Sequence, residues 1–192
     1  MMNSTQLKQL LEAALFAHPQ PLSAEQLQQL LLTESDASLA AVKAALTNLQ
    51  QDYSERGVEL VKVASGYRFQ TRAELGQRLA GLWQEKPPRY SQALLETLAL
   101  IVYRQPITRG EIEQVRGVSV SSNIIKTLQE RNWIKVIGVK EVPGRPQLYA
   151  TTAEFLDDFN LNNLEQLPDI DSQPAADRTA ETATNERDTL ND

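Results

Sequence analysis

The stretch 91–150 constrains the fold most, because three short helical patterns and a strand–turn–strand pattern follow one another in it without a long loop. Ser91 is suited to cap the first helix, and Pro106 ends it. A capping box of Thr108 and Glu111 opens the second helix, which Gly117 stops. The positions expected to face inward are Leu94, Leu98, Ile101, Val102, Ile112, Val115, Ile124, Ile125 and Leu128.

Beyond Asn132 the apolar pattern changes to that of strands. A strand over 133–139 leads to the turn Pro143–Pro146, and Leu148 and Tyr149 return from it. The turn between the second and third helices is short and contains a glycine, which is the spacing of a helix-turn-helix. We therefore predict a winged helix-turn-helix, with Trp133 and Tyr149 more probable in its core than at an interface.

The same order of elements is predicted a second time, in the first half of the chain. Helical patterns over 4–17, from Ser23 through Leu27, Leu30 and Leu31, and over 39–49 precede a hairpin of 58–63 and 67–70 around Ser65-Gly66. A shift of 85 residues places Pro21 on Pro106 and Ser23 on Thr108. The predicted fold is therefore mainly α with small β-wings (α+β), as two tandem winged helix-turn-helix domains.

Two further segments complete the predicted organisation. Residues 73–85 carry leucines 75, 79 and 82 at helical spacing before Lys86-Pro87-Pro88, and Thr152 is suited to cap a helix with Phe155, Leu156 and Phe159. Past Pro168 almost nothing remains to bury, which predicts a disordered acidic tail. The predicted domains are 1–72 and 91–167, with a linking helix and proline hinge at 73–90 and the tail at 168–192.

Composition limits the class of protein. The chain has 192 residues, 41% of them hydrophobic, and no cysteine, which excludes disulfides and thiolate metal sites and fits a cytoplasmic location. It shows no convincing secretory signal and no apolar run long enough to span a membrane, so we expect a soluble protein. The net charge is −6, of which −5 falls on residues 168–192, so residues 1–167 are nearly neutral.

Catalysis and DNA binding both find weak support. His18 is the only histidine and has no identifiable partner, and we predict no catalytic residue, cofactor or metal site. The third helix of the second domain would present Ser121, Ser122, Asn123, Lys126 and Gln129 to DNA, with Arg145 at the wing tip. Residues 91–150 hold eight basic and five acidic residues, a net charge of +3 that permits only weak phosphate contact. A winged-helix transcription regulator remains the alternative interpretation.

Protein assembly is the better-supported interpretation. Each domain is small enough that docking onto another subunit would add burial that its own core lacks. Phe16, Leu100 and Tyr103 fall outside the apolar stripes of their helices. A partner would cover these side chains; the competing interpretation of each is an isolated surface residue or a contact to the neighbouring helix.

Several segments in order resemble a known family. They are Leu95–Ala99, Tyr103–Ile112, Arg116–Val118, Pro143–Pro146, Leu148-Tyr149, Thr151-Thr152 and Phe155-Leu156. Through these segments, Ser91–Ile170 resembles segregation and condensation protein B (ScpB), the accessory subunit of bacterial SMC–kleisin complexes. Residues 1–90 match that family more loosely. Gly138-Val139-Lys140 departs from the family, which often has a Gly-Arg pair there.

The resemblance implies a non-enzymatic scaffold that acts in chromosome condensation, partition and the cell cycle. It implies a homodimer joined through the N-terminal domains, with Phe16 as the dimer candidate, and C-terminal domains that bind the kleisin ScpA, which bridges the SMC heads. The family implies a nucleoid-associated cytoplasmic protein with weak or indirect DNA contact. The partner-binding candidates are Leu100, Tyr103, Arg104, Thr108, Arg109, Glu111, Arg116 and Arg145. For Thr108 and Glu111 a helix cap, and for the arginines a solvated charge, is the competing interpretation.

Overall fold

The structure is a computed structural model that describes residues 2–33, 37–82 and 89–169. In these ranges the predicted order of three helices and a hairpin occurs twice, and each set surrounds its own hydrophobic core. The first unit contains α1 (Ser4–Ala17), α2 (Ala24–Leu31), α3 (Leu39–Asp52), β1 (Val58–Val63) and β2 (Gly66–Thr71). The second contains α5 (Gln92–Arg104), β3 (Ile107–Thr108), α6 (Arg109–Arg116), α7 (Ser122–Glu130), β4 (Ile134–Val139) and β5 (Gln147–Thr151).

Local signals set the helix ends. Ser23 and Thr108 each accept a hydrogen bond from the N–H three residues on, and Gln26 and Glu111 complete the two predicted capping boxes. Gly117 ends α6 with φ 71°, a left-handed conformation that glycine adopts without a steric penalty. The helix boundaries predicted from these residues are confirmed.

The apolar stripes largely face the cores as expected. Leu27, Leu46 and Leu49 lie at the centre of the first core, and Ile101, Ile112 and Leu128 at the centre of the second. The predicted core positions of Trp133 and Tyr149 are also confirmed. The inward orientation of Val115 is wrong, because its side chain is 45% exposed at the end of the short α6. Ile124 is only half-buried, and Leu30 is exposed at the end of the short α2.

Both hairpins receive one extra strand segment that the sequence did not predict. In the second unit β3 pairs with β5, so that Ile107 lies opposite Tyr149 in a sheet of order β3-β5-β4. In the first unit Leu22 forms a single bridge to Tyr67. Since the 85-residue shift superposes Leu22 on Ile107, the same position closes the sheet in both units.

The connecting segments differ in part from the predictions. The linking helix is short, with α4 (Ala73–Leu79) followed by a 3-10 turn at Ala80–Leu82, and it buries none of its residues. Residues 83–88, which include the predicted proline hinge, lie outside the described residues, as do 34–36 of the loop before α3. After the second hairpin, α8 (Ala153–Asp158) is capped by Thr152 as predicted, but ends before Phe159. Residues 170–192, nearly all of the predicted disordered tail, also lie outside the described part.

Candidate partner-binding surfaces

The first turn of α6 is a tightly bonded junction rather than an open site. Thr108 is buried, and its N–H and hydroxyl both donate to Glu111 Oε2, at 2.8 and 2.7 Å. The other carboxylate oxygen, Oε1, accepts from Lys140 Nζ at 2.6 Å. The Lys140 hydrogen bond, followed by the Thr108 backbone and side-chain bonds, lowers the pKa of Glu111 to about 2. These two candidates therefore have a structural role.

Arg109 connects the helices of the second unit. Its Nε donates to Glu113 Oε1 at 3.0 Å and its Nη1 to Ser122 Oγ at 3.1 Å. The same Glu113 oxygen accepts from the Val120 N–H at 2.9 Å, and this bond, followed by that from Arg109, lowers the Glu113 pKa. Arg109 thus holds the turn between α6 and α7.

Arg116 is buried against α5. Its side chain is 10% exposed, with Nη2 donating to Glu96 Oε2 at 2.9 Å and Nη1 to Thr97 Oγ1 at 3.3 Å. The Arg116 bond is the main cause of a lowered Glu96 pKa. The Nε atom has no hydrogen-bond partner within the described residues. Arg116 is therefore a packed side chain, poorly placed for a partner.

Arg104 is the arginine candidate with a free guanidinium. It is exposed at the end of α5 and makes no ion pair within residues 2–33, 37–82 and 89–169. It lines a surface cleft of about 470 Å³ whose other walls are Pro106, Ile107, Glu111, Gln114 and Val115. The cleft places the Arg104 cation beside the apolar side chains of Pro106 and Val115 and beside the polar side chains of Glu111 and Gln114.

Tyr103 and Leu100 lie on α5 near the same end of the helix. Tyr103 is 39% exposed, and its hydroxyl donates to the Pro168 carbonyl at 2.8 Å. Leu100 is half-buried and packs against the second core. Leu100 therefore contributes to the packing of the second core, whereas the Tyr103 ring stays partly exposed.

Phe16 belongs to an aromatic group on the first unit. Its ring is 54% exposed and stacks on Phe69, with centroids 4.0 Å apart and planes 6° apart. Tyr53 completes this aromatic patch, with its centroid 4.7 Å from that of Phe69 and its hydroxyl bonded to Glu12. That hydrogen bond is the main cause of a raised Tyr53 pKa. The exposed ring of Phe16 is available to a neighbour.

The predicted DNA-contacting residues are exposed, but their positive charge is largely neutralised. Lys126 Nζ lies 3.6 Å from Glu130 on α7, and Lys43 Nζ of α3 lies 3.0 Å from Glu25. At the second wing, Arg145 Nη2 lies 3.4 Å from Glu141. Each of these cations would have to leave its carboxylate partner before it contacted a phosphate, which reduces the net gain from such a contact.

The sequence missed several exposed apolar side chains. In the second unit these are Leu95, Val118, Val136, Ile137, Val139, Val142 and Phe159. Four of them belong to β4 and the turn after it. That strand forms an edge of its sheet, so apolar residues that strand periodicity assigned to a wing remain uncovered. A single sequence shows their spacing but not which side of the sheet is left open.

The described part of the chain shows neither a metal-binding cluster nor a membrane-spanning helix. Residues 2–33, 37–82 and 89–169 contain no group of three or more His, Asp or Glu side chains placed to hold a metal ion. Within the same ranges no helix is long and apolar enough to cross a membrane. His18 follows α1, and its Nδ1 lies 2.9 Å from the Gln20 carbonyl oxygen.

Comparison with known proteins decides the family. The family model described as "Segregation and condensation complex subunit ScpB" matches residues 9–170, which include most of the first unit and all of the second. The chain belongs to the ScpB family. Segregation and condensation protein B homolog of Coxiella burnetii is 56% identical over 170 residues, covering 88% of this chain and 81% of that protein. Segregation and condensation protein B of Symbiobacterium thermophilum is 46% identical over 167 residues, covering 85% of this chain and 74% of that protein.

Solved structures of the family are also similar to this chain. Crystalline ScpB from Mycobacterium tuberculosis is 30% identical with a TM-score of 0.40, covering 84% of this chain and 99% of that one. A crystal structure of a dimer of the ScpB N-terminal domain complexed with ScpA peptide is 32% identical with a TM-score of 0.35. It covers 42% of this chain and 92% of that one.

Proposed function

We propose that this chain is a non-enzymatic scaffold that homodimerises and binds the kleisin ScpA, and so regulates the SMC complex that condenses and segregates chromosomes. The observation that carries the proposal is the family match over residues 9–170. The protein would act in the cytoplasm at the nucleoid, reaching the SMC subunits through the kleisin. DNA contact would be weak or indirect, since the cations of the third helices are already paired.

Each unit is, in this proposal, a winged helix-turn-helix domain. The repeated order of helices and hairpin and the two separate cores support domains at 1–72 and 91–167, joined by 73–90. In both units the hairpin is completed by the segment before a capped helix. That common construction supports a duplicated domain.

The kleisin-binding surface is assigned to the cleft beside α5. Arg104 supplies a cation that has no ion pair among the described residues, and Pro106 and Val115 supply apolar walls. Tyr103 extends the surface along the helix with a ring of the type enriched at protein interfaces. Glu111 forms part of the cleft wall, and Thr108, Arg109 and Arg116 stabilise the elements around it through the hydrogen bonds described above.

The dimer surface is assigned to the first unit. Phe16 is stacked on Phe69 and more than half exposed, and Leu30 of α2 is 70% exposed. Covering both side chains would bury apolar area that the small unit leaves in water.

Calorimetric titration of ScpA from the same organism tests the kleisin assignment. Arg104→Glu should weaken binding at least tenfold, because it replaces the free cation with a charge that repels an acidic partner. Arg78→Glu, at an exposed arginine of α4, serves as the matched control and should bind as wild type does. Equal affinities for wild type and Arg104→Glu would refute the assigned surface.

Sedimentation equilibrium tests the dimer surface. Phe16→Asp should shift the equilibrium towards monomer, while Val142→Asp, at an exposed apolar residue of the other unit, should not. An unchanged dimer in Phe16→Asp would exclude this patch. A salt titration of duplex binding addresses the alternative function, because a transcription regulator would bind tightly and with a steep salt dependence.

A further inference from the structure

The tip of the first hairpin contacts the second unit through specific hydrogen bonds. The Ala64 N–H donates to the Leu161 carbonyl at 3.0 Å, and the Ser65 N–H donates to Asp157 Oδ1 at 2.9 Å. Arg68 Nη2 donates to the Asp157 carbonyl at 2.8 Å and to Asn160 Oδ1 at 2.9 Å. Four bonds therefore join this hairpin to the end of α8 and the residues that follow it.

The receiving end of this contact is built into the second unit. Asp157 is the one buried charged residue in the described ranges, with 7% exposure. The adjacent Asp158 accepts from Trp133 Nε1 at 2.8 Å, and Phe155 lies in the second core. Asp158 thus bonds α8 to the core of the second unit, while Asp157 bonds it to the first unit.

The contact between the units is mainly polar. The cleft between the units measures about 390 Å³ and is lined mainly by polar or charged residues. They are Pro19, Gln20, Pro21, Gln26, Ser65, Arg68, Glu154, Asp157 and Asp158. Interfaces between domains that are small and polar allow relative motion, because water replaces their hydrogen bonds at little cost.

We propose that these contacts form a hairpin clasp, an intramolecular interface that switches the two units between a closed and an open arrangement. In the closed arrangement the hairpin tip and the end of α8 cover each other and are withheld from partners. Opening breaks the four bonds and leaves both cores intact, since none of the bonded atoms belongs to a core side chain. This inference does not depend on the proposed function, because it concerns the chain alone.

Distance measurement between two spin labels tests the clasp. The natural chain has no cysteine, so Gln9→Cys on α1 and Gln129→Cys on α7 introduce the only two labelling sites, both exposed. Dilution of the doubly labelled chain into excess unlabelled protein removes distances between copies if the chain dimerises. Pulsed electron resonance then gives the distribution of distances between the units.

The expected result is a narrow main distance from the closed arrangement with a minor, displaced component from the open one, and a broad, displaced distribution once Arg68→Ala and Asp157→Ala are added. Arg145→Ala, which removes an arginine of the second hairpin, is the matched control and should keep the narrow distance. A broad distribution before the clasp residues are changed would overturn the proposal. So would a narrow distribution that survives both substitutions.

Amide hydrogen exchange provides a second readout at the contact itself. The Ala64 and Ser65 amides should be protected in the wild type and should exchange at least tenfold faster in Asp157→Ala, with core amides of both units unchanged. Asp157→Asn keeps an acceptor oxygen and should restore most of the Ser65 protection. Equal exchange rates at the Ser65 amide in wild type and Asp157→Ala would contradict the clasp. Loss of protection in the second core of Asp157→Ala would show that Asp157 serves only the stability of the second unit, and this result would also overturn the clasp.

Discussion

Glu111 Oε1 and Lys140 Nζ lie 2.6 Å apart, and this ion pair joins the first turn of α6 to the residue that follows β4 in the second hairpin. Because the same carboxylate also completes the capping box with Thr108, one side chain connects three elements of the second unit. The first unit has a capping box at the equivalent Ser23, but there Gln26 takes the place of the glutamate. The two units therefore share the cap and differ in the ion pair.

Acid should lower the stability of the second unit, because it protonates Glu111. Its folded pKa of about 2 lies below the ordinary value of 4.5, so the bonds contribute stability above pH 4.5 that is lost as the pH falls towards 2. With 38% of the side chain exposed, screening by solvent limits the contribution to about 1 kcal/mol. Glu111→Gln retains a capping acceptor and should be about that much less stable at pH 7, with the difference vanishing near pH 2.

Urea unfolding followed by circular dichroism at several pH values measures this effect. Glu55→Gln, at an exposed glutamate of the first unit, is the control and should follow the wild type throughout. A constant difference between Glu111→Gln and wild type from pH 7 to pH 2 would contradict the assigned cause.

Thr108 should affect stability rather than recognition. Thr108→Ala removes a helix cap and should cost about 1 kcal/mol, as should Ser23→Ala at the equivalent position of the first unit. Thr108→Ser keeps the hydroxyl and should be nearly neutral. Chemical denaturation gives the stabilities, and calorimetry with ScpA should give one affinity for the folded forms of all three. Weak binding by a stable Thr108→Ser would show direct partner contact instead.

The two cores should respond separately to truncation. Leu46 and Leu128 are fully buried at the centres of the first and second cores, and each change to alanine should cost about 2–5 kcal/mol. Residue-resolved hydrogen exchange should show lost protection mainly in α1–α3 for Leu46→Ala and mainly in α5–α7 for Leu128→Ala. Uniform loss across both units in either variant would mean that they fold as one.

Gly66 should tolerate no side chain. Its φ is 148°, and a Cβ there would lie 2.2 Å from the Leu22 carbonyl carbon, since the two segments are bridged. Gly66→Ala should therefore cost at least about 1–3 kcal/mol and displace the Leu22 segment. Gly138→Ala, where no atom lies within 4 Å of an added Cβ, should be far milder. Thermal melting compares the stabilities of the two variants. A similar loss of stability in Gly66→Ala and Gly138→Ala would contradict the close approach of Gly66 to Leu22.

Helix ends and core faces could be predicted because their causes are local. Ser23, Thr108 and Gly117 act within one turn, and a stripe such as Leu94, Leu98 and Ile101 is visible in the spacing alone. Val115 was assigned wrongly because it lies in the last turn of a helix of only two turns, where its side chain points away from the core, which spacing does not reveal. The third sheet segments were missed because single bridges such as that of Leu22 depend on a partner distant in sequence.

The candidate surface also combines features that are visible in the sequence with features that only the fold shows. The resemblance named Arg104, Arg109 and Arg116 as candidates, but only the fold distinguishes the exposed guanidinium from the two that are bonded. The contact between the first hairpin and α8 lay beyond sequence reasoning altogether, because Ser65 and Asp157 are 92 residues apart.

The molar mass of the assembled species tests the proposed scaffold most directly. Light scattering of the purified chain should give about twice 21.5 kDa, and addition of ScpA from the same organism should give a single species of two chains and one kleisin. A chain that remains at 21.5 kDa and elutes apart from ScpA would contradict the proposed function.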